Sequence, residues 1–283
     1  MSLIDRCRQG VVDAVKPSLL AFDNLSQSSI WLSVSTMSRP EGQAPPELFY
    51  DDTEARKYTA SSRIISIQAE ITDRAIELLD LPAGRPSYVL DVGCGSGLSG
   101  EALEEAGHYW LGCDISKPML DVAAERESET GDILNSDMGQ GLPFRPATFD
   151  GVISISALQW LCYSASTDQD PKLRLNRFFS SLYTILRRDA KAVLQFYPEN
   201  PEQAVMIVQA ASRVGFAGGL VIDYPNSSKA KKFYLCLSFE RSYKVPAALG
   251  TGKESGVQVV GRDRYLSQLT SLCFIERQFL NIC

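Results

Sequence analysis

Tyr88-Val-Leu-Asp-Val-Gly-Cys-Gly-Ser-Gly-Leu-Ser-Gly100 decides how this chain folds. An apolar run ends at Asp91, and glycines then recur at every second position, Gly93, Gly95 and Gly97, before a helix-compatible segment from Leu98. This pattern predicts a buried strand breaking into a tight turn free of side chains. Glycine supplies the positive φ such a turn needs and lets a ligand lie against the backbone. The next apolar run, Tyr109 to Cys113, ends at Asp114, where an α/β nucleotide-binding unit places the carboxylate that holds a ribose hydroxyl. Strand, turn, helix, strand and acid occur in the right order.

The details of the turn select the ligand. A dinucleotide fingerprint reads G-x-G-x-x-G and sets a pyrophosphate on a helix N-terminus. Here the spacing is G-x-G-x-G, and Asp91 stands two residues before the first glycine. A carboxylate there repels a pyrophosphate and suits a ligand carrying an ammonium group. The stretch resembles the first motif of class I S-adenosylmethionine-dependent methyltransferases, whose cofactor carries an α-amino group and a sulfonium. A nicotinamide or flavin enzyme with an altered loop is the competing reading.

Outward from this turn, strands and helices alternate. Strands are predicted at 87–91, 109–114, 132–136, 149–156, 190–197, 220–224 and 232–237, and helices at 60–80, 98–106, 118–127, 173–187 and 201–214. Such alternation implies a parallel sheet covered by helices on both faces. The last two strands are separated only by Pro225 to Lys231, too short for a parallel return, so they form an antiparallel hairpin. The fold class is a Rossmann-like α/β domain with a seven-stranded, mostly parallel sheet. Asp52 or Thr53 is the expected cap of a short helix before residue 60. Residues 1–44 read as a poorly ordered extension, 45–237 as the methyltransferase domain, and 238–283 as a tail without clean periodicity.

The 283 residues are 45% hydrophobic, enough for a sizeable core. No apolar run approaches the ~18 residues that span a bilayer, so no membrane association is expected. Seven cysteines without a C-x-x-C pair argue against a zinc ribbon, and no metal site is expected. The net charge of −6 means that any RNA must be held by a local patch or with help from a partner.

Ligands of open parallel sheets bind beyond the carboxyl ends of the strands. That rule assigns Asp91, Gly93, Gly95, Gly97, Asp114 and Ile115 to the cofactor, with Ile115 an apolar wall for the adenine. Asp137 and Met138 follow the third strand, where the acid either accepts from the adenine amino group or caps a helix. Ser154 opens the fourth loop, and Trp160 either faces the acceptor or belongs to the core. Tyr58 is a candidate for the cofactor carboxylate, or else lies at an exposed helix end. His108, the one histidine, falls at the opposite end of its strand and is a poor base. A missing base fits a ring-nitrogen acceptor, whose lone pair is already free.

Several segments together resemble the 18S ribosomal RNA guanine-N7 methyltransferases that act in small-subunit assembly. They include Pro46-Glu-Leu-Phe-Tyr50, Glu54-Ala-Arg-Lys-Tyr58, Asp137-Met-Gly-Gln-Gly141, Tyr197-Pro-Glu-Asn200 and Asp223-Tyr-Pro-Asn-Ser227. The resemblance covers about residues 45 to 237. It implies methylation of one guanine in 18S rRNA of the pre-40S particle, nuclear action, and a heterodimer with a small zinc-binding methyltransferase activator that shields an apolar sheet edge. On that basis Tyr197, Glu199, Tyr224 and Asn226 become guanine-pocket candidates, although Pro-Asn-Ser is good turn chemistry in any protein. Lys229, Lys231 and Lys232 form a basic cluster suited to phosphate. The family's Lys/Arg-rich tail is not matched by residues 238–283, which leaves the cytoplasm as a second location. A small-molecule methyltransferase and an assembly factor with dispensable catalysis are the alternative functions.

Overall fold

The computed structural model describes residues 39–164 and 169–251, together with the backbone of 257–259. Two short helices, α1 (Pro46–Phe49) and α2 (Asp52–Ala60), lead into the long α3 (Ser62–Leu79). Asp51, not Asp52 or Thr53, caps α2, because its carboxylate lies one position before the first helical residue and accepts from the amides of Thr53 and Glu54. Ser61 caps α3, whose Ile71, Ala75, Leu78 and Leu79 form the buried stripe.

The alternating part follows: β1 (Tyr88–Val92), α4 (Leu98–Glu105), β2 (Tyr109–Asp114), α5 (Lys117–Ala124), β3 (Gly131–Asn135) and β4 (Phe149–Ile155). Then come α6 (Pro171–Ile185), β5 (Leu186–Phe196), α7 (Pro201–Val214), β6 (Ala217–Asp223), β7 (Lys232–Ser238) and the short β8 (Val257–Val259). All strands join one sheet in the order β3-β2-β1-β4-β5-β7-β6-β8. The first five are mutually parallel, and β7 runs antiparallel to both β5 and β6. Strand order reverses between β1 and β4, so a crevice opens where their carboxyl ends diverge.

Alternate residues serve opposite faces, as the period of two requires. Leu90, Val92 and Val152 pack with Phe178, Phe179 and Leu182 of α6 and Ile207 of α7. Val89, Ile153 and Val193 pack on the other side with Ile71 and Leu78 of α3 and Leu103 of α4. No helix among the described residues is long and apolar enough to cross a membrane.

The expected seven strands are all present, and the differences lie at the boundaries. Strand β5 starts at Leu186 because the β4–β5 register shifts between Phe149 and Gly151, and the charged residues 187–189 occupy the irregularity. Packing continues past 237: Tyr243, Val245 and buried Ala248 lie on the α3 face of the sheet, and β8 adds an eighth strand beside β6. An irregular segment has no period, so the sequence pattern could not show that it is held. Residues 39–44 also belong to the folded unit, since the Arg39 guanidinium donates to the carbonyls of Tyr197 and Pro198. Residues 1–38 lie outside the described residues.

Candidate active site

The loop between β1 and α4 is held by backbone bonds: the amides of Gly93 and Cys94 both donate to the Cys113 carbonyl. Gly93, Gly95 and Gly97 have φ of +75°, +52° and +81°. At Gly93 a Cβ would stand 2.2 Å from the Cβ of Ala157, so the turn and the β4 loop meet without room for a side chain. Gly97 lies outside the cleft lining; it caps α4 and packs towards Ala123 and Arg126.

Beneath the turn Asp91 is fully buried. One carboxylate oxygen accepts from Ser99 Oγ at 2.5 Å, while the other has no partner. Burial pushes its pKa up to about 7, the Ser99 bond pulls against that, and the charge of Asp114 adds to the rise. Asp114 accepts from the amides of Gly95 at 2.9 Å and Ser116 at 2.8 Å. Burial raises its pKa against those bonds.

A cleft opens here, lined on the sheet side by Gly93, Gly95, Asp114, Ile115, Asp137 and Met138. Asp137 fits both of its readings: it lines the cleft, and its carboxylate caps the following turn through the Gly139 amide. Ser154 does not reach the cleft. It is buried and donates to the Val92 carbonyl at 2.7 Å, and Ser156 and Ala157 stand at the cleft instead. Trp160 is in the cleft wall, its ring centroid 5.9 Å from that of Tyr50. Tyr58 closes the same wall 6.0 Å from Tyr50, and burial pushes its pKa to about 12. Tyr50, Ser136 and Arg174 also line the cleft, and sequence reasoning did not single them out. The Pro46 to Tyr50 motif carried a signal for Tyr50, but nothing in the chain marked the other two.

The acceptor candidates do not enter this cleft. They form a rim on the same edge of the sheet, just past β5 and at the β6–β7 turn. Tyr197 follows β5, with the Lys232 ammonium 5.6 Å from its ring centroid. The Glu199 carboxylate accepts from Tyr163 Oη at 2.9 Å. Tyr224 and Asn226 occupy the turn beyond β6 with Lys229 and Lys231 close by, and Tyr224 is 41% exposed at a φ of +49°. His108 is at the far end, its Nδ1 accepting from the Ser87 amide.

These residues fit S-adenosylmethionine. The unpartnered, buried Asp91 oxygen sits beneath a turn with no room for side chains, matched to a ligand with a cationic end lying on glycine backbone. Beside it, Asp114 lines the cleft with a carboxylate suited to hydroxyl donors, and Ile115 with Met138 offers an apolar wall. Fold and site together define an S-adenosylmethionine-dependent methyltransferase. Residues 90–194 match the Methyltransferase domain family. A TehB-like methyltransferase from Corynebacterium glutamicum shares the fold, with a TM-score of 0.50 at 17% identity over 67% of this chain and 100% of that one. The 18S rRNA (guanine-N(7))-methyltransferase of Mus musculus is 58% identical over 221 residues, 78% of each chain. The 18S rRNA (guanine(1575)-N(7))-methyltransferase of Saccharomyces cerevisiae is 55% identical over 192 residues, 68% of this chain and 69% of its own. The chain belongs to the 18S rRNA guanine-N7 methyltransferase family.

Proposed function

We propose that this protein transfers a methyl group from S-adenosylmethionine to N7 of one guanine in small-subunit ribosomal RNA, on precursors of the 40S particle in the nucleus. The observation that carries the reading is a cleft with no histidine among the described lining residues and with its carboxylates, Asp114 and Asp137, engaged by backbone amides, set beside the relatives' shared acceptor. Among the described residues lining the cleft, Cys113 is held up to about 12 by burial, and Tyr58 likewise. Guanine N7 needs no deprotonation, so transfer can rest on placement.

The cofactor supplies a methyl group activated by a positive sulfur. Asp91 would counter the ammonium end from beneath the turn, Asp114 would accept from the ribose hydroxyls, and Asp137 would accept from the adenine amino group beside Ile115 and Met138. Gly93 and Gly95 keep the turn open for the backbone approach, Gly97 starts α4 behind it, and Tyr58 with Trp160 excludes water from one wall. Ser154 braces β1 from beneath rather than touching the ligand. On the rim, Tyr197 and Tyr224 stack on an extruded base, and Glu199 with Asn226 reads its edge. Lys229, Lys231 and Lys232 meet the backbone phosphates.

The activator subunit has a natural place. Among the described residues, strand β3 is the outer edge of the sheet, paired only with β2, and Leu134 is 37% exposed there. An unpaired edge with apolar side chains is a template for strand addition. The deciding experiment co-purifies the full chain with its partner from cells, supplies labelled cofactor and 18S rRNA precursors, and maps the label. One labelled guanine that depends on Asp114 is expected. Label confined to small molecules, or tight cofactor binding by Asp114→Ala, overturns the reading. Pre-rRNA processing that survives Gly95→Glu would identify a scaffold instead.

A further inference from the structure

Among the described residues of the cleft floor, Ser156 alone is not glycine yet has a left-handed backbone, with φ of +56°. A side chain disfavours that conformation, and such strain persists only where the surroundings impose it. Here the restraint comes from two glutamines that are themselves almost wholly buried, Gln159 at 3% and Gln195 at 0% exposure. The Ser156 amide donates to the Gln195 carbonyl at 3.1 Å and to Gln195 Oε1 at 2.9 Å. Ser156 Oγ donates to the same Oε1 at 2.9 Å. From the other side Gln159 Nε2 donates to the Ser156 carbonyl at 2.8 Å. Every polar group of Ser156 is therefore engaged by a glutamine.

The residue so held stands between the two halves of the site. Next to it, Ala157 fills the space against Gly93 of the cofactor turn. On the far side, Gln159 Oε1 accepts from the Tyr197 amide at 3.4 Å, while its Nε2 also donates to Glu41 at 2.9 Å. A relaxed Ser156 would shift Ala157 against the turn and free Tyr197 from Gln159. Gln195 lies in β5, in register with Ile155, where an apolar residue would satisfy the core equally well. Its Nε2 has no partner, a cost that packing alone does not explain.

We infer that Gln159 and Gln195 are positioning residues for methyl transfer: they hold Ser156 in the left-handed conformation that sets the spacing between the cofactor turn at Gly93 and the acceptor rim at Tyr197. In-line transfer without a base depends on that spacing, so its loss slows chemistry more than it weakens cofactor binding. The inference rests on the rim reading of Tyr197.

The test uses the full chain with its partner. Gln195→Met should slow single-turnover methylation at saturating cofactor by roughly tenfold or more while changing cofactor Kd less than about threefold. Glycine adopts positive φ unaided, so in a Ser156→Gly background the added cost of Gln195→Met should shrink to below about twofold. Amide exchange at Ser156 in the cofactor complex should rise in Gln195→Met, a readout that needs no RNA. If Gln195→Met does not fold, Gln159→Met removes the donor to the Ser156 carbonyl and must show the same rate-over-affinity pattern. Unchanged rate and exchange, losses that multiply in the double variant, or a fall in affinity matching the fall in rate overturns the inference. Faster exchange with no RNA methylation by the wild type would instead overturn the rim and substrate reading.

Discussion

A carboxylate shut away from water resists ionisation, and Asp91, with its pKa pushed up to about 7, keeps its proton far above the usual carboxylate range. The ligand-free protein therefore loses stability as pH rises from that ordinary range through about 7, because the folded state is the one holding the proton. An ammonium group beside Asp91 reverses the preference and releases the proton. Cofactor affinity should accordingly climb with pH up to about 7 and flatten above it. Calorimetry at a fixed pH below 7, in buffers of different ionisation enthalpy, should show proton release that disappears in Asp91→Asn. A slope retained by that variant would assign the proton elsewhere. Asp91 and Asp114 were legible in the sequence because a carboxylate closing an apolar run is costly to bury unless donors or a ligand meet it. The choice between Ser154 and Ser156 was not. Alternation along β4 names the face of a side chain only while the strand lasts, and the left-handed step at Ser156 ends it.

At the scale of elements, the described tail is clamped to the domain. Arg74 of α3 meets Asp223 at the end of β6 at 3.0 Å, and its Nη2 donates to the Ala247 carbonyl. Asp223 also accepts from the Leu249 amide, and the Tyr224 amide donates back to the Leu249 carbonyl. Both charged side chains are nearly buried, at 10% and 2% exposure. Glu77 also pairs with Arg74, at 2.8 Å, so Asp223→Asn leaves the guanidinium one exposed partner and should cost about 2 kcal/mol. Urea denaturation should show that loss, with faster proteolysis between residues 240 and 251; an unchanged midpoint would make the clamp dispensable. Strands and helices of the core were readable because their periods differ. The clamp was not, since a single Arg and a single Asp 149 positions apart leave no local pattern.

The molecule as a whole carries a net charge of −6, so its field opposes a polyanion and attraction must come from a small area. Lys229, Lys231 and Lys232 lie on the rim with the acceptor candidates. Each phosphate contact to single-stranded RNA contributes about 0.7 to the slope of log affinity against log salt. The Lys229→Ala, Lys232→Ala double variant should therefore flatten the slope by about 1.4 and weaken RNA binding without moving cofactor affinity. Filter binding across a salt series measures both, and an unaltered slope would place the phosphate contacts on another surface or on the partner.

The placement of β7 between β5 and β6 has a bearing on how the chain is made. Every described residue lining the cleft comes from positions 46–174, and all of these leave the ribosome before the strand that closes the sheet. Until residue 238 has been synthesised, β5 presents an open edge bearing Val193, Leu194 and Phe196. The nascent protein thus passes through a stage with its catalytic half assembled and a sticky strand still uncovered.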